Sequence, residues 1–162
     1  MVTPPGPSSG VRDILSRVPF FQELTAAEID RIASIGRVVP YQKDMVLFHE
    51  GDAGEAFYVV LAGAIRISKS VPGKGDQTLA FMEQGGFFGE MALVDDFPRS
   101  ATAVTQQDTL VLFIERRALL EVFQVEPVIG RKVLWAFCRT LSIRLRETND
   151  RIVALSAMTR PL

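Results

Sequence analysis

Between Phe87 and Thr102 the chain brings a glycine, a carboxylate and a guanidinium into one short segment. Gly89 precedes Glu90 to Val94, which read as a single helical turn set between strand-like runs. The start of a helix presents unpaired backbone N–H groups and a positive dipole end, which suit a small anion. Gly89 has no Cβ to hold a ligand away from those amides. Arg99 supplies a fixed positive charge whose fork of donors matches phosphate oxygens, and Ser100 adds a hydroxyl beside it. Glu90 would repel a phosphate, but its carboxylate is a strong acceptor for a sugar hydroxyl next to one. Amide cradle, cation and ribose acceptor together describe a nucleotide pocket, with Gly89, Glu90, Arg99 and Ser100 as its residues. The plain alternative, a surface salt bridge between Glu90 and Arg99, contributes little stability and leaves Gly89 and the inserted turn unexplained.

The elements that must position this segment follow from the pattern around it. Val11 to Val18 has helical spacing, and Thr25 followed by Glu28 is a capping-box start for a helix through Ile29, Ile32, Ala33 and Ile35 that stops at Gly36. From about residue 38 to 115 short apolar runs alternate with turn residues: Met45–Phe48, Phe57–Leu61, Ala64–Ser68, Thr78–Met82, Ala101–Thr105 and Thr109–Ile114. Strands this short, with close turns and no intervening helices, predict an antiparallel β-roll of the jelly-roll type rather than a parallel sheet. Arg116 to Val125 is a short helix, and Pro127 opens a long one with no Gly or Pro between Arg131 and Arg160. The predicted class is α+β, mainly β: short N-terminal helices, a roll, and C-terminal helices over about 116–158.

At 162 residues, 48% hydrophobic and 23% charged, the chain is one globular domain, placed over 11–162 behind a Pro/Gly/Ser-rich flexible tail at 1–10. A net charge of −1 argues against a nucleic-acid or membrane surface, and a cytoplasmic location is expected. The single histidine, His49, excludes a metal site built on several imidazoles, so no metal and no catalytic residue is assigned. That weighs against a cupin-type metal enzyme, which shares the roll outline. Asp95-Asp96 reads as solvated charge, Phe87 and Phe88 as core, and the lone cysteine Cys138 and Trp135 as packing on the last helix.

Phe88-Gly89-Glu90-Met91-Ala92-Leu93 with Pro98-Arg99-Ser100-Ala101-Thr102 closely resembles the phosphate-binding cassette of the cyclic-nucleotide-binding domain family. Leu47-Phe48, Glu50-Gly51-Asp52 and Phe57-Tyr58-Val59-Val60 look like the family's early strands and turn. The resemblance implies a sensor rather than an enzyme, and no cofactor. Its ligand would be cAMP, with cGMP left open because Ser100 matches neither strict pattern. Glu90 would take the ribose 2′-hydroxyl, Arg99 the cyclic phosphate, and the amides around Gly89 to Ala92 with Ser100 would complete the phosphate shell. Leu79 and Ala80 would wall the purine.

The run from Arg144 to Asn149 resembles the family's hinge-side helix, so that Thr148 and Asn149, helped by Arg144, would read the base. The apolar stripe on that helix implies a lid over the roll, a homodimer seam, or both. The resemblance is compatible with a stand-alone module and with a piece of a transcription regulator, kinase regulatory subunit or channel. A degenerate module kept only for dimerisation would not need Glu90, Arg99 and Ser100.

Overall fold

The computed structural model describes residues 9–158. Met1 to Ser8 of the expected tail lie outside the described residues, while Ser9 and Gly10 already belong to the first helix. The helices are α1 (Ser9–Arg17), α2 (Ala26–Ile35), α3 (Arg116–Val125) and α4 (Pro127–Met158), with 3-10 turns at Pro19–Phe21 and Glu90–Leu93. The strands are β1 (Gly36–Tyr41), β2 (Val46–Phe48), β3 (Ala56–Ala62), β4 (Ile65–Val71), β5 (Gly75–Met82), β6 (Phe87–Phe88), β7 (Thr102–Thr105) and β8 (Thr109–Glu115). The capping box of α2 is formed on both sides, Thr25 N donating to Glu28 Oε2 at 2.7 Å and Glu28 N to Thr25 Oγ1 at 3.3 Å.

The strands form two four-stranded sheets, β1-β8-β3-β6 and β2-β7-β4-β5, and every pairing is antiparallel. Two strands escaped the sequence reading, and both have a physical reason. β1 carries Pro40, which cannot donate to a ladder and is tolerated because β1 is an edge strand. β6 is only two residues long.

β3 explains how the layers stack. Successive side chains of a strand point to opposite faces. Phe57, Val59 and Leu61 enter the core shared with the helices, while Ala56, Tyr58 and Val60 enter the interior of the roll. Both faces are covered, so the strand reads as an unbroken apolar run. Phe20 links the layers: its ring centroid lies 5.3 Å from Phe57, 5.2 Å from Phe87 and 5.9 Å from Phe137 on α4.

Only the first part of α4 takes part in that core, through Ile129, Val133, Ala136 and Phe137. Two assignments are corrected here. Trp135 is 61% exposed and Cys138 is exposed, because α4 carries a second apolar stripe facing away from the roll. Phe87 and Phe88 are buried as expected. Among the described residues no helix is long and apolar enough to cross a membrane.

Candidate nucleotide-binding site

The segment singled out by its chemistry wraps one end of the roll and lines a cleft of about 710 Å³. The helical turn is there, but as a four-residue 3-10 turn, Glu90–Leu93. What it offers an anion is its unpartnered first amides rather than the summed dipole of a long helix. Gly89 precedes it in the left-handed conformation, φ 77° and ψ 11°. A side chain at this position would be strained, and it would also have no room. A Cβ would stand 2.7 Å from Arg99 Nη1 and 2.8 Å from the Ala56 carbonyl oxygen.

Arg99 is the centre of the site. Its backbone is clamped to the β2–β3 loop, Arg99 N donating to Asp52 O at 2.7 Å and Gly51 N to Arg99 O at 2.9 Å. Its side chain is buried at 7% exposure, with Cζ 4.3 Å from the Phe48 ring centroid and 5.6 Å from that of Tyr58. Nη2 donates to Ala56 O at 2.8 Å and Nη1 to Gly89 O at 3.4 Å, while the buried Nε has no partner. Among the described residues Arg99 makes no ion pair. Burial holds its pKa below the usual guanidinium value, partly offset by Tyr58, Glu90, Asp52 and Glu55. Burial likewise raises the Tyr58 phenol above its ordinary value.

Glu90 is equally buried, at 4%, and its partner is not Arg99. Its carboxylate accepts from Arg144 Nη1 on α4, and the Arg144 guanidinium lies 5.4 Å from the Phe87 ring centroid. Arg144 therefore reaches the acceptor side of the cleft from the helix. Ser100 lines the cleft, exposed, with its hydroxyl 3.8 Å from Met91 Sδ. Ala92 lies within the 3-10 turn.

Leu79 and Ala80 line the cleft from β5, and Leu79 is the extra residue of a bulge between the Ile67/Ala80 and Ser68/Thr78 pairs. The bulge turns Leu79 outward, 51% exposed at the rim. On α4 Thr148 lines the cleft, its hydroxyl donating to Arg144 O at 2.8 Å, whereas Asn149, the next residue, is exposed and does not line it. One step along a helix turns a side chain by about 100°, which separates the two.

Sequence reasoning missed Phe48 and Tyr58, the aromatic bed of Arg99, and Glu147 and Arg151, which line the cleft one turn apart on α4. The aromatic pair comes from strands distant in sequence, so only the sheet register brings it to Arg99. Glu147 and Arg151 were legible as i, i+4 companions of the Arg144/Thr148 face.

The cleft thus joins a buried cation that makes no ion pair among the described residues and the first amides of a 3-10 turn to a buried carboxylate, under an apolar wall. That composition suits one phosphate, one sugar and one flat base. The profile of the cyclic nucleotide-binding domain matches residues 38–126. The cyclic AMP receptor protein of Thermus thermophilus is 33% identical over 138 residues, 85% of this chain and 62% of that protein. A cAMP-dependent protein kinase regulatory subunit from Pyricularia oryzae is 33% identical over 120 residues, 74% of this chain and 30% of that protein. The crystal structure of a cyclic nucleotide-binding domain from Methylobacillus flagellatus superposes with a TM-score of 0.78 at 31% identity, covering 90% of this chain and 82% of that one. The chain spans 62% or less of the length of these two curated relatives. It belongs to the cyclic nucleotide-binding domain family.

Proposed function

We propose that the domain is a sensor for a 3′,5′-cyclic purine nucleotide, cAMP first and cGMP second, which it binds and releases unchanged. One observation carries the reading: Arg99 is a buried guanidinium that makes no ion pair among the described residues and whose Nε has no hydrogen-bond partner, and a buried charge left unpaired is costly. A singly charged cyclic phosphate seated between Arg99 and the amides after Gly89 removes that cost. Met91, Ala92 and Ser100 complete the shell. Glu90 accepts from the ribose 2′-hydroxyl, and its lone pairs are enough to serve Arg144 at the same time. Leu79 and Ala80 cover one face of the base, while Thr148 reads its edge. Asn149 is assigned to a cleft across a dimer, since it lies off its own.

Because Arg144 and Thr148 sit on α4, ligand bridges roll and helix and favours the arrangement in which they meet. Only such differential contact can shift a conformational equilibrium. The names of relatives, a cyclic AMP receptor protein and kinase regulatory subunits, support a regulatory rather than catalytic role. Leu134, Cys138, Leu141, Leu145, Thr148 and Ile152 follow the alternating four- and three-step spacing of a two-stranded coiled coil, and this supports a homodimer along α4. With a net charge of −1, the output passes to an effector protein or further domain rather than directly to nucleic acid, in the cytoplasm.

Calorimetric titration tests the reading. One cAMP per chain is expected, with 5′-AMP much weaker because its opened phosphate carries a second charge into a site where Arg99 balances one. Glu90→Gln should weaken cAMP while leaving 2′-deoxy-cAMP nearly unaffected. No saturable heat with any cyclic nucleotide would refute the assignment.

A further inference from the structure

Beside the cleft two antiparallel strands part early. The β4–β7 ladder runs from Ile65 opposite Thr105 to Ser68 opposite Thr102, and its register, continued, would set Ser70 opposite Ser100. It stops instead: β4 goes on to Val71 with only β5 beside it, while Ser100 and Ala101 leave the sheet and line the cleft. Side chains close the gap. Lys69 Nζ donates to the Ser100 carbonyl oxygen at 3.2 Å, and Glu50 Oε2 accepts at 3.2 Å from Ser70 N, an amide that β7 no longer faces. Lys69 Nζ and Glu50 Oε1 stand 3.0 Å apart, so one ion pair spans both sides. Glu50 belongs to the β2–β3 loop, which grips the same segment by its backbone: Glu50 N donates to Thr102 Oγ1 at 2.9 Å and Gly51 N to Arg99 O at 2.9 Å. Neither Glu50 nor Lys69 lines the cleft.

We propose that Lys69, held by Glu50, is a positioning residue for the phosphate end of the cleft: by fixing the Ser100 carbonyl it sets the direction in which the Ser100 hydroxyl meets the ligand. The inference rests on the cyclic-nucleotide reading above and adds to it a pair outside the cleft. Fold stability is not what the pair supplies. Its side chains are 48% and 33% exposed, and ion pairs in such settings contribute little to folding. What it fixes is one peptide. Arg99, one residue earlier, is clamped through its backbone by Asp52 and Gly51, and at Ser100 the Lys69 ammonium takes over that task. The Ser100 hydroxyl itself touches only a weak acceptor, Met91 Sδ at 3.8 Å, which cannot hold the side chain in one direction. A binding group already held in place loses less freedom when the ligand arrives. Because Glu50 balances its charge, Lys69 acts by position rather than as a second cation for the phosphate.

Calorimetric titration of cAMP into the chain and its variants separates position from charge. Lys69→Met keeps the aliphatic stem and removes the ammonium. Its Kd should rise about fivefold, the worth of one modest hydrogen bond, at an unchanged melting temperature. Lys69→Arg still donates to both partners and should restore affinity to within about twofold. Glu50→Gln releases Lys69 from its anchor and should also weaken cAMP. Tighter binding in Glu50→Gln would make Lys69 a bare charge for the phosphate and overturn the proposal. In a Ser100→Ala background Lys69→Met should change the Kd by less than about twofold, because the group it positions is gone. An undiminished loss in that background, or native affinity in Lys69→Met alone, refutes the positioning role and leaves the cyclic-nucleotide reading standing. Absence of cAMP binding by the native chain removes that reading, and the positioning role with it.

Discussion

The two halves of α4 obey different rules. Up to Phe137 the helix buries Ile129, Val133, Ala136 and Phe137 in the core, and Lys132 Nζ holds Glu28 of α2 at 2.9 and 2.7 Å. Beyond Thr140 every apolar residue whose exposure is described lies open, from Leu141 at 37% to Val153 at 69%. The first half is bound by area and the second by chemistry, since its ion pair with the roll is Arg144 on Glu90. One continuous helix therefore has an anchored stem and an arm whose attachment to the roll, Arg144 on Glu90, lines the cleft. On the proposed sensor reading, that division would let a small ligand move a large element, because the arm has little packing to break.

Single truncations in the two halves sharpen the contrast. Phe137→Ala in the stem should lower unfolding stability by about 3–5 kcal/mol in a denaturant titration, as removal of a buried aromatic does. Ile143→Ala in the arm, 57% exposed and off the proposed seam, should stay within about 0.5 kcal/mol. Equal losses would erase the distinction between stem and arm.

A smaller effect concerns the tether of the stem. Hydrogen bonds from Lys132, then from Thr25, hold the Glu28 carboxyl below its ordinary pKa. A carboxylate whose pKa is depressed by folding stabilises the fold above its unfolded pKa, about 4.3, and loses that contribution as pH falls towards the folded value. Stability should therefore fall on acidification through that window, and Lys132→Met should flatten this part of the pH profile in thermal melts. An unchanged slope would mean that the tether is idle.

The same division marks how far the sequence could be read. The roll, the capping box at Thr25, the boundaries of α3 and the glycine before the 3-10 turn were all legible, because each is written in neighbouring residues. Which apolar stripe of α4 meets the core was not. Ile129, Val133 and Phe137 compete with Leu134, Cys138 and Leu141, and only the extent of the roll decides where cover ends. The cleft was legible in its residue types and not in its pairing. Arg144 holds Glu90, and Arg99 rests on Phe48, Tyr58 and two backbone carbonyls contributed by distant strands and the preceding turn. Contacts set by sheet register leave no local trace in the chain.

Everything on the ligand side turns on Arg99 being a cation kept without an anion until the nucleotide supplies one. Isothermal titration of cAMP into the native domain and into Arg99→Ala measures this directly. The expected result is a loss of about 2–5 kcal/mol in binding free energy, the cost of truncating one partner of a buried charge pair, with the fold intact by circular dichroism. Native-like affinity in a folded Arg99→Ala domain would contradict it.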